Sequence, residues 1–96
     1  MAKQRYVIVR TLSAGVFAGT LFSRRRQEVV LTNARRLWYW KGASSLSQLA
    51  MEGVKCPSEC KFPCEVLRVE LIQAIEILDV TPAARKNIAE VPIWRQ

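Results

Sequence analysis

The chain has 96 residues, half of them hydrophobic and about a quarter charged, with a net charge of +7 and no histidine. That size and balance fit one folded domain and exclude a disordered tail or a multidomain enzyme. The lack of histidine removes the commonest general acid–base group and the commonest metal ligand.

The charge is unevenly placed. Met1 to Lys41 carries nine Lys or Arg against one acid, Glu28, whereas Gly42 to Gln96 carries six basic and seven acidic residues. The whole positive excess therefore lies in the first two-fifths of the chain. Such asymmetry points to an anionic partner, with plain solubility as the competing explanation. No apolar run reaches the roughly 20 residues a bilayer span needs. The longest, Ala14 to Phe22, is broken by Gly15, Gly19 and Thr20. No signal peptide is apparent either, so the expectation is a protein of the cytoplasm with no membrane partner.

Arg5 to Thr11 is rich in β-branched and aromatic residues and predicts a first strand. Ser13-Ala14-Gly15 reads as a turn, and Val16 to Phe22 as a second strand. Gly19 in its middle marks a bulge or sharp bend. Ser23 to Gln27 reads as a turn carrying three adjacent arginines, Arg24, Arg25 and Arg26, solvated and mobile. Glu28 to Thr32 predicts a third strand that runs through Asn33-Ala34 into a fourth, Arg35 to Trp40. The period of two places Arg35, Leu37 and Tyr39 on one face and Arg36, Trp38 and Trp40 on the other. Both faces carry aromatic bulk, so both are expected to be covered, one of them by the core.

A short helix follows. Ser44 or Ser45 caps it, Leu46, Leu49 and Ala50 form its buried stripe, and Gly53 ends it. Val54 to Cys64, with Pro57 and Pro63, reads as an irregular loop. Glu65 to Leu71 and Gln73 to Val80 predict two further strands. Thr81-Pro82 starts a helix over Ala83 to Ala89, and Val91 to Trp94 reads as a short edge strand because Pro92 lacks a donor N–H. The sum is an α+β, mainly β domain: a small bent antiparallel sheet or partly open barrel of about six strands with two short helices.

Three groups of residues bear on chemistry. Cys56, Cys60 and Cys64 have the spacing CxxxCxxxC. A structural zinc site takes four ligands and usually a CxxC pair, and three is an odd number for disulfides, so the expectation is free thiols and no metal. No GxSxG, HExxH, P-loop or GxGxxG occurs, so no enzyme activity, catalytic residue or cofactor is expected. The third group is the run Asn33 to Gly42. Trp38 and Trp40 are of the type that stacks on bases, and Arg35, Arg36 and Lys41 of the type that pairs with phosphate. Ser45, Ser47 and Gln48 sit at the start of a helix and can supply further hydrogen bonds, although a serine cap alone explains Ser44 or Ser45. The tryptophans also suit a protein–protein hot spot, or a place in the core or at a subunit interface.

The chain resembles a family of short phage and prophage proteins classed as a domain of unknown function. The resemblance rests on Tyr6 to Thr11 with Ser13 to Gly19, on Ala34 to Trp40, Gly42-Ala43, Ser45 to Ala50 and Glu52-Gly53, on Cys60 to Pro63, and on Ile75 to Ile77 with the Pro92-Ile93-Trp94 tail. It implies a small accessory factor acting in the host cytoplasm, and by analogy between protein classes a counter-defence role. The leading expectation is an oligomeric, non-enzymatic protein that binds and sequesters a nucleotide-type host immune signal, such as a cyclic nucleotide. Two alternatives stand beside it: a nucleic-acid-binding module using the basic N-terminal part, and a protein-binding inhibitor of a host defence enzyme.

Overall fold

A computed structural model of the protein describes residues 4–95. Five strands form among them: β1 (Arg5–Thr11), β2 (Val16–Arg25), β3 (Glu28–Arg36), β4 (Glu65–Leu71) and β5 (Ala74–Asp79). They make one antiparallel sheet in the order β4-β3-β2-β1-β5. Two helices complete the fold, α1 (Leu46–Glu52) and α2 (Pro82–Glu90), with a single 3-10 turn at Pro57–Glu59. This is a small α+β domain, mainly β.

The order has a geometric consequence. β4 and β5 occupy opposite edges of the sheet, yet only Ile72 and Gln73 separate them in sequence. The sheet must therefore curl until one end of each edge meets the other. Two observations agree with that curl. A single buried cluster draws Val7 and Val9, Phe17, Val29 with Leu31 and Ala34, Leu71 and Ala74 from all five strands. The β2–β3 tip also reaches β5, where the Ala74 N–H donates to the Gln27 carbonyl at 3.1 Å.

Alternation gives the other face its own core. Ile8 and Ala18 project to the side opposite Val7, Val9 and Phe17, and there meet Leu49, Ala50, Val54, Phe62, Ile88 and Val91. The two helices and the loop from Leu37 to Cys64 thus cover one face, while the curl covers the other. Ser45 caps α1 by accepting from the Gln48 N–H at 3.1 Å, and Thr81 caps α2 by accepting from the Ala84 N–H at 3.1 Å. Each cap satisfies a donor that a helix start leaves without an internal partner.

Two expectations change. The separate strand over Arg35 to Trp40 does not form: β3 carries through to Arg36 and the backbone then leaves the sheet. Its last rung is the Leu37 N–H on the Val16 carbonyl at 2.8 Å, and beyond it Tyr39 makes only an isolated bridge to Lys61. A register shift precedes this end. Between Ala18–Arg35 and Thr20–Thr32, β3 holds one residue more than β2, and Asn33 takes a left-handed φ of 48° to absorb it. Gly19 sits opposite this bulge, where a Cβ would lie 3.0 Å from the Ala34 Cα, so the glycine marks a close approach of β3. Val91 to Trp94 is likewise no strand; it is held by an isolated parallel bridge from Ile93 to Phe62 and by the Trp94 N–H on the Phe62 carbonyl at 3.0 Å.

Candidate functional site

Leaving the sheet at Leu37 decides what the aromatic run can do. Leu37 is fully buried against the helices, and the residues on either side of it turn outward. Arg36, Trp38 and Trp40 then line one open groove of about 430 Å³, closed on its far side by the turn Ser13 to Val16. These three are the set placed on one face by the period of two.

Arg36 is held in two ways. Its guanidinium lies over the Phe17 ring, 4.4 Å from the centroid, because Arg36 and Phe17 are cross-strand partners. Its Nη1 donates to the Ala14 carbonyl at 2.7 Å. A guanidinium has five N–H donors, so the remaining ones stay open to a ligand in the groove. Among the described residues no carboxylate lies within ion-pair distance of it. Trp38 stacks on Trp94 with ring centroids 5.2 Å apart and is still 58% exposed. Trp40 is half-buried and packs against the helix-side core. Lys61 stands outside the groove's lining but against its Trp38 wall, its Nζ lying 5.1 Å from the Trp38 centroid, 5.7 Å from that of Trp94 and 5.8 Å from that of Tyr39.

The other expected site residues lie elsewhere. Arg35, on the opposite side of β3, is only 4% exposed. Its Nε donates to the Pro63 carbonyl at 2.9 Å, its Nη1 to Ile88 at 2.8 Å, and its Nη2 to Phe62 at 3.0 Å and Pro92 at 3.1 Å. It also lies over the Phe62 ring. Arg35 is therefore an internal clasp between the loop, the end of α2 and the C-terminal tail, and has no access to a phosphate in the groove. Burial pushes its guanidinium below its ordinary value, partly offset by Tyr6 and Glu65. Lys41 turns to Glu59, with Nζ 3.1 Å from Oε1, and this bond holds the ammonium above its ordinary value. Ser45 is occupied as a helix cap. Gln48 Oε1 accepts from the Ser44 N–H at 3.0 Å and from the Ser44 hydroxyl at 2.7 Å. Ser47 is exposed. None of these five lines the groove.

Three contributors were not legible as site residues. Phe17 was read only as part of a strand, and its partnership with Arg36 depends on the β2–β3 register. Lys61 and Trp94 stand far from Trp38 in sequence and reach it only because the loop and the tail lie side by side. The one available signal was chemical: a lysine and a third tryptophan without an assigned role.

Cys60 is buried, Cys56 half-buried and Cys64 exposed, and all three are free thiols. Among the described residues no group of three or more His, Cys, Asp or Glu is arranged to hold a metal ion. Nor is any helix there long and apolar enough to cross a membrane. A second cleft of similar size is lined by Arg5, Tyr6, Asp79 and Arg85 among others. It offers an anion less, because its lining holds a carboxylate, Asp79, with which Arg5 pairs at 2.7 Å.

A family profile described as a domain of unknown function, DUF6948, matches residues 4–88. The chain belongs to that family. The matched span holds all five strands and Arg35, Arg36, Trp38 and Trp40, and stops short of Pro92 and Trp94. No curated protein and no solved structure matches the chain significantly.

Proposed function

We propose that this DUF6948 domain binds, without catalysis, a nucleotide-type anion in the groove of Arg36, Trp38 and Trp40. The observation that carries this reading is the guanidinium of Arg36, seated on Phe17 and the Ala14 carbonyl in a groove that Trp38 and Trp40 also line. A nucleotide needs a cation for its phosphate and a flat apolar surface for its base, and this groove offers both side by side. Its volume of about 430 Å³ is within the range of small-molecule sites. Holding Arg36 in place before the ligand arrives lowers the ordering cost of binding.

In the phage setting implied by the family resemblance, binding of this kind would sequester a host immune signal in the host cytoplasm. The open side of the groove favours an oligomer in which a second copy completes the pocket. The proposed ligand set is accordingly narrowed: Arg36, Trp38 and Trp40 contact the nucleotide, Lys61 reinforces the positive field, and Arg35, Lys41, Ser45, Ser47 and Gln48 are left out.

The test is a thermal-shift screen against cyclic di- and trinucleotides, cyclic ADP-ribose-type molecules and mononucleotides. At a hundredfold excess over its dissociation constant a ligand stabilises by about 2.7 kcal/mol, several degrees for a domain of this size. The expected result is such a shift with a nucleotide, abolished in Arg36→Ala with the fold intact. If no nucleotide moves the wild-type midpoint, the reading fails. The stacked pair of exposed Trp38 and half-buried Trp94 would then stand as a surface for a protein partner.

A further inference from the structure

The β2–β3 tip is built more firmly than a solvated turn requires. β2 runs on to Arg25, three residues further than its apolar pattern predicts. It bends on the way, since Leu21 and Ser23 face Leu31 and Val30, which leaves Phe22 as an extra residue on β2. Arg26 takes a left-handed φ of 56°, and its carbonyl accepts from Arg24 Nε at 3.0 Å. The Gln27 carbonyl accepts from Ala74 across the curl. The three arginines are thus displayed on a fixed frame.

They are also uncompensated. Four ion pairs occur among the described residues, and they use Arg5, Arg10, Lys41 and Arg68. Arg24, Arg25 and Arg26 take part in none, although Glu28 stands opposite Arg25 in the hairpin. Arg24 and Arg26, with Arg5, Gln27 and the β5 residues 74–77, line a cleft of about 360 Å³. The carboxylate in that lining, Glu76, is already paired with Arg10 at 3.0 Å. Two residues before Arg24, the bulge leaves the Phe22 ring 70% exposed. Cations on a fixed frame beside a bare aromatic ring are what a strand of nucleic acid requires: phosphates for the arginines and an unstacked base for the ring.

We propose that this tip is a phosphodiester-binding site for single-stranded nucleic acid, formed by Arg24, Arg25, Arg26 and Phe22, and separate from the groove at Arg36. It does not depend on the nucleotide reading of that groove.

The experiment is fluorescence anisotropy with a labelled oligothymidylate of about 16 nucleotides, and a duplex of equal length, over a salt series. Three phosphate contacts to a single strand predict a slope of log K against log salt of about −2. In Arg24→Gln/Arg26→Asn, where asparagine tolerates the left-handed backbone, affinity should fall at least tenfold and the slope shrink to about −0.7. Arg24→Lys should retain most of the slope. If the double variant fails to fold, Arg25→Gln replaces it, with a slope smaller by about 0.7. No binding at low salt, a flat slope, undiminished affinity in the folded variants, or tighter binding of the duplex would each overturn the proposal.

Discussion

Trp38 and Trp94 stack nearly parallel, their planes 10° apart, and so fasten the C-terminal tail to the wall of the groove. The pair joins residues far apart in sequence, beside the Ile93–Phe62 bridge, and Lys61 lies over both rings. Stacked aromatic pairs contribute about 0.5–1.5 kcal/mol beyond their buried area. A double-mutant cycle with Trp38→Ala and Trp94→Ala, followed by urea unfolding, should return a coupling of about 1 kcal/mol. Purely additive effects would mean that the rings do not hold each other in solution.

Arg35 should be the least replaceable charged residue of the fold. Its removal takes a charged donor from the carbonyls of Phe62, Pro63, Ile88 and Pro92; Phe62 keeps the Trp94 N–H and Ile88 the Val91 N–H, whereas Pro63 and Pro92 lose theirs. Hydrogen bonds to a charged group contribute about 1.5–3 kcal/mol each, and orphaned buried acceptors add a desolvation cost. Arg35→Met should destabilise by more than about 3 kcal/mol in chemical denaturation. Arg35→Lys should recover only part of that, since one ammonium cannot reach four carbonyls spread around a planar fork. Arg36→Ala, by contrast, should cost under about 1 kcal/mol, as befits an exposed arginine.

Tyr6 gives a pH signature. Burial raises its phenol above the ordinary value, with a further push from Glu65 and an opposing pull from Arg85. The folded state therefore holds the phenolic proton more tightly than the unfolded one. That contribution is complete below the unfolded value near 10 and is lost as pH rises through the higher folded value. Wild type should lose stability above about pH 10 more steeply than Tyr6→Phe, with the two curves parallel at neutral pH. Parallel curves throughout the alkaline range would show that Tyr6 does not ionise with unfolding.

Gly42 has a backbone reason to be glycine. Its φ is +96°, and a Cβ there would stand 2.6 Å from the Lys55 N and 2.7 Å from the Cys56 N. The same residue's carbonyl accepts from the Lys55 N–H at 3.2 Å, which closes the segment carrying α1. Gly42→Ala must break that closure or strain it, at a cost of about 1–3 kcal/mol. A melting temperature equal to wild type would refute this.

The thiols should react in order of exposure. Cys64 is exposed, Cys56 intermediate and Cys60 buried, with the Cys60 thiol against the carbonyls of Cys56 at 3.4 Å and Lys41 at 3.8 Å. Timed alkylation of the native protein, read by peptide mass, should label Cys64 first and Cys60 only at the rate of unfolding. Early labelling of Cys60 would place it at the surface.

Much of this protein was legible in its sequence, because local rules carried it. β1 and β4 fall on the ranges their residue types mark, and both helix starts are written, in Ser44-Ser45 and in Thr81-Pro82, with Ser45 the cap that forms. The period of two alone grouped Arg36 with Trp38 and Trp40. The antiparallel, mainly β character followed from short turns between strands. What the sequence could not determine was which chemically equivalent side chain would be buried. Arg35 and Arg36 are identical and adjacent. Only the helix-side layer, with Phe62, Ile88 and Pro92 converging on one of them, made the first an internal clasp and left the second for a ligand. The bulge at Asn33, the curl that brings the arginine tip to β5, and the meeting of Trp38 with Trp94 have the same origin. Each joins segments distant in the chain, and only three-dimensional packing, not local propensity, sets which of them meet.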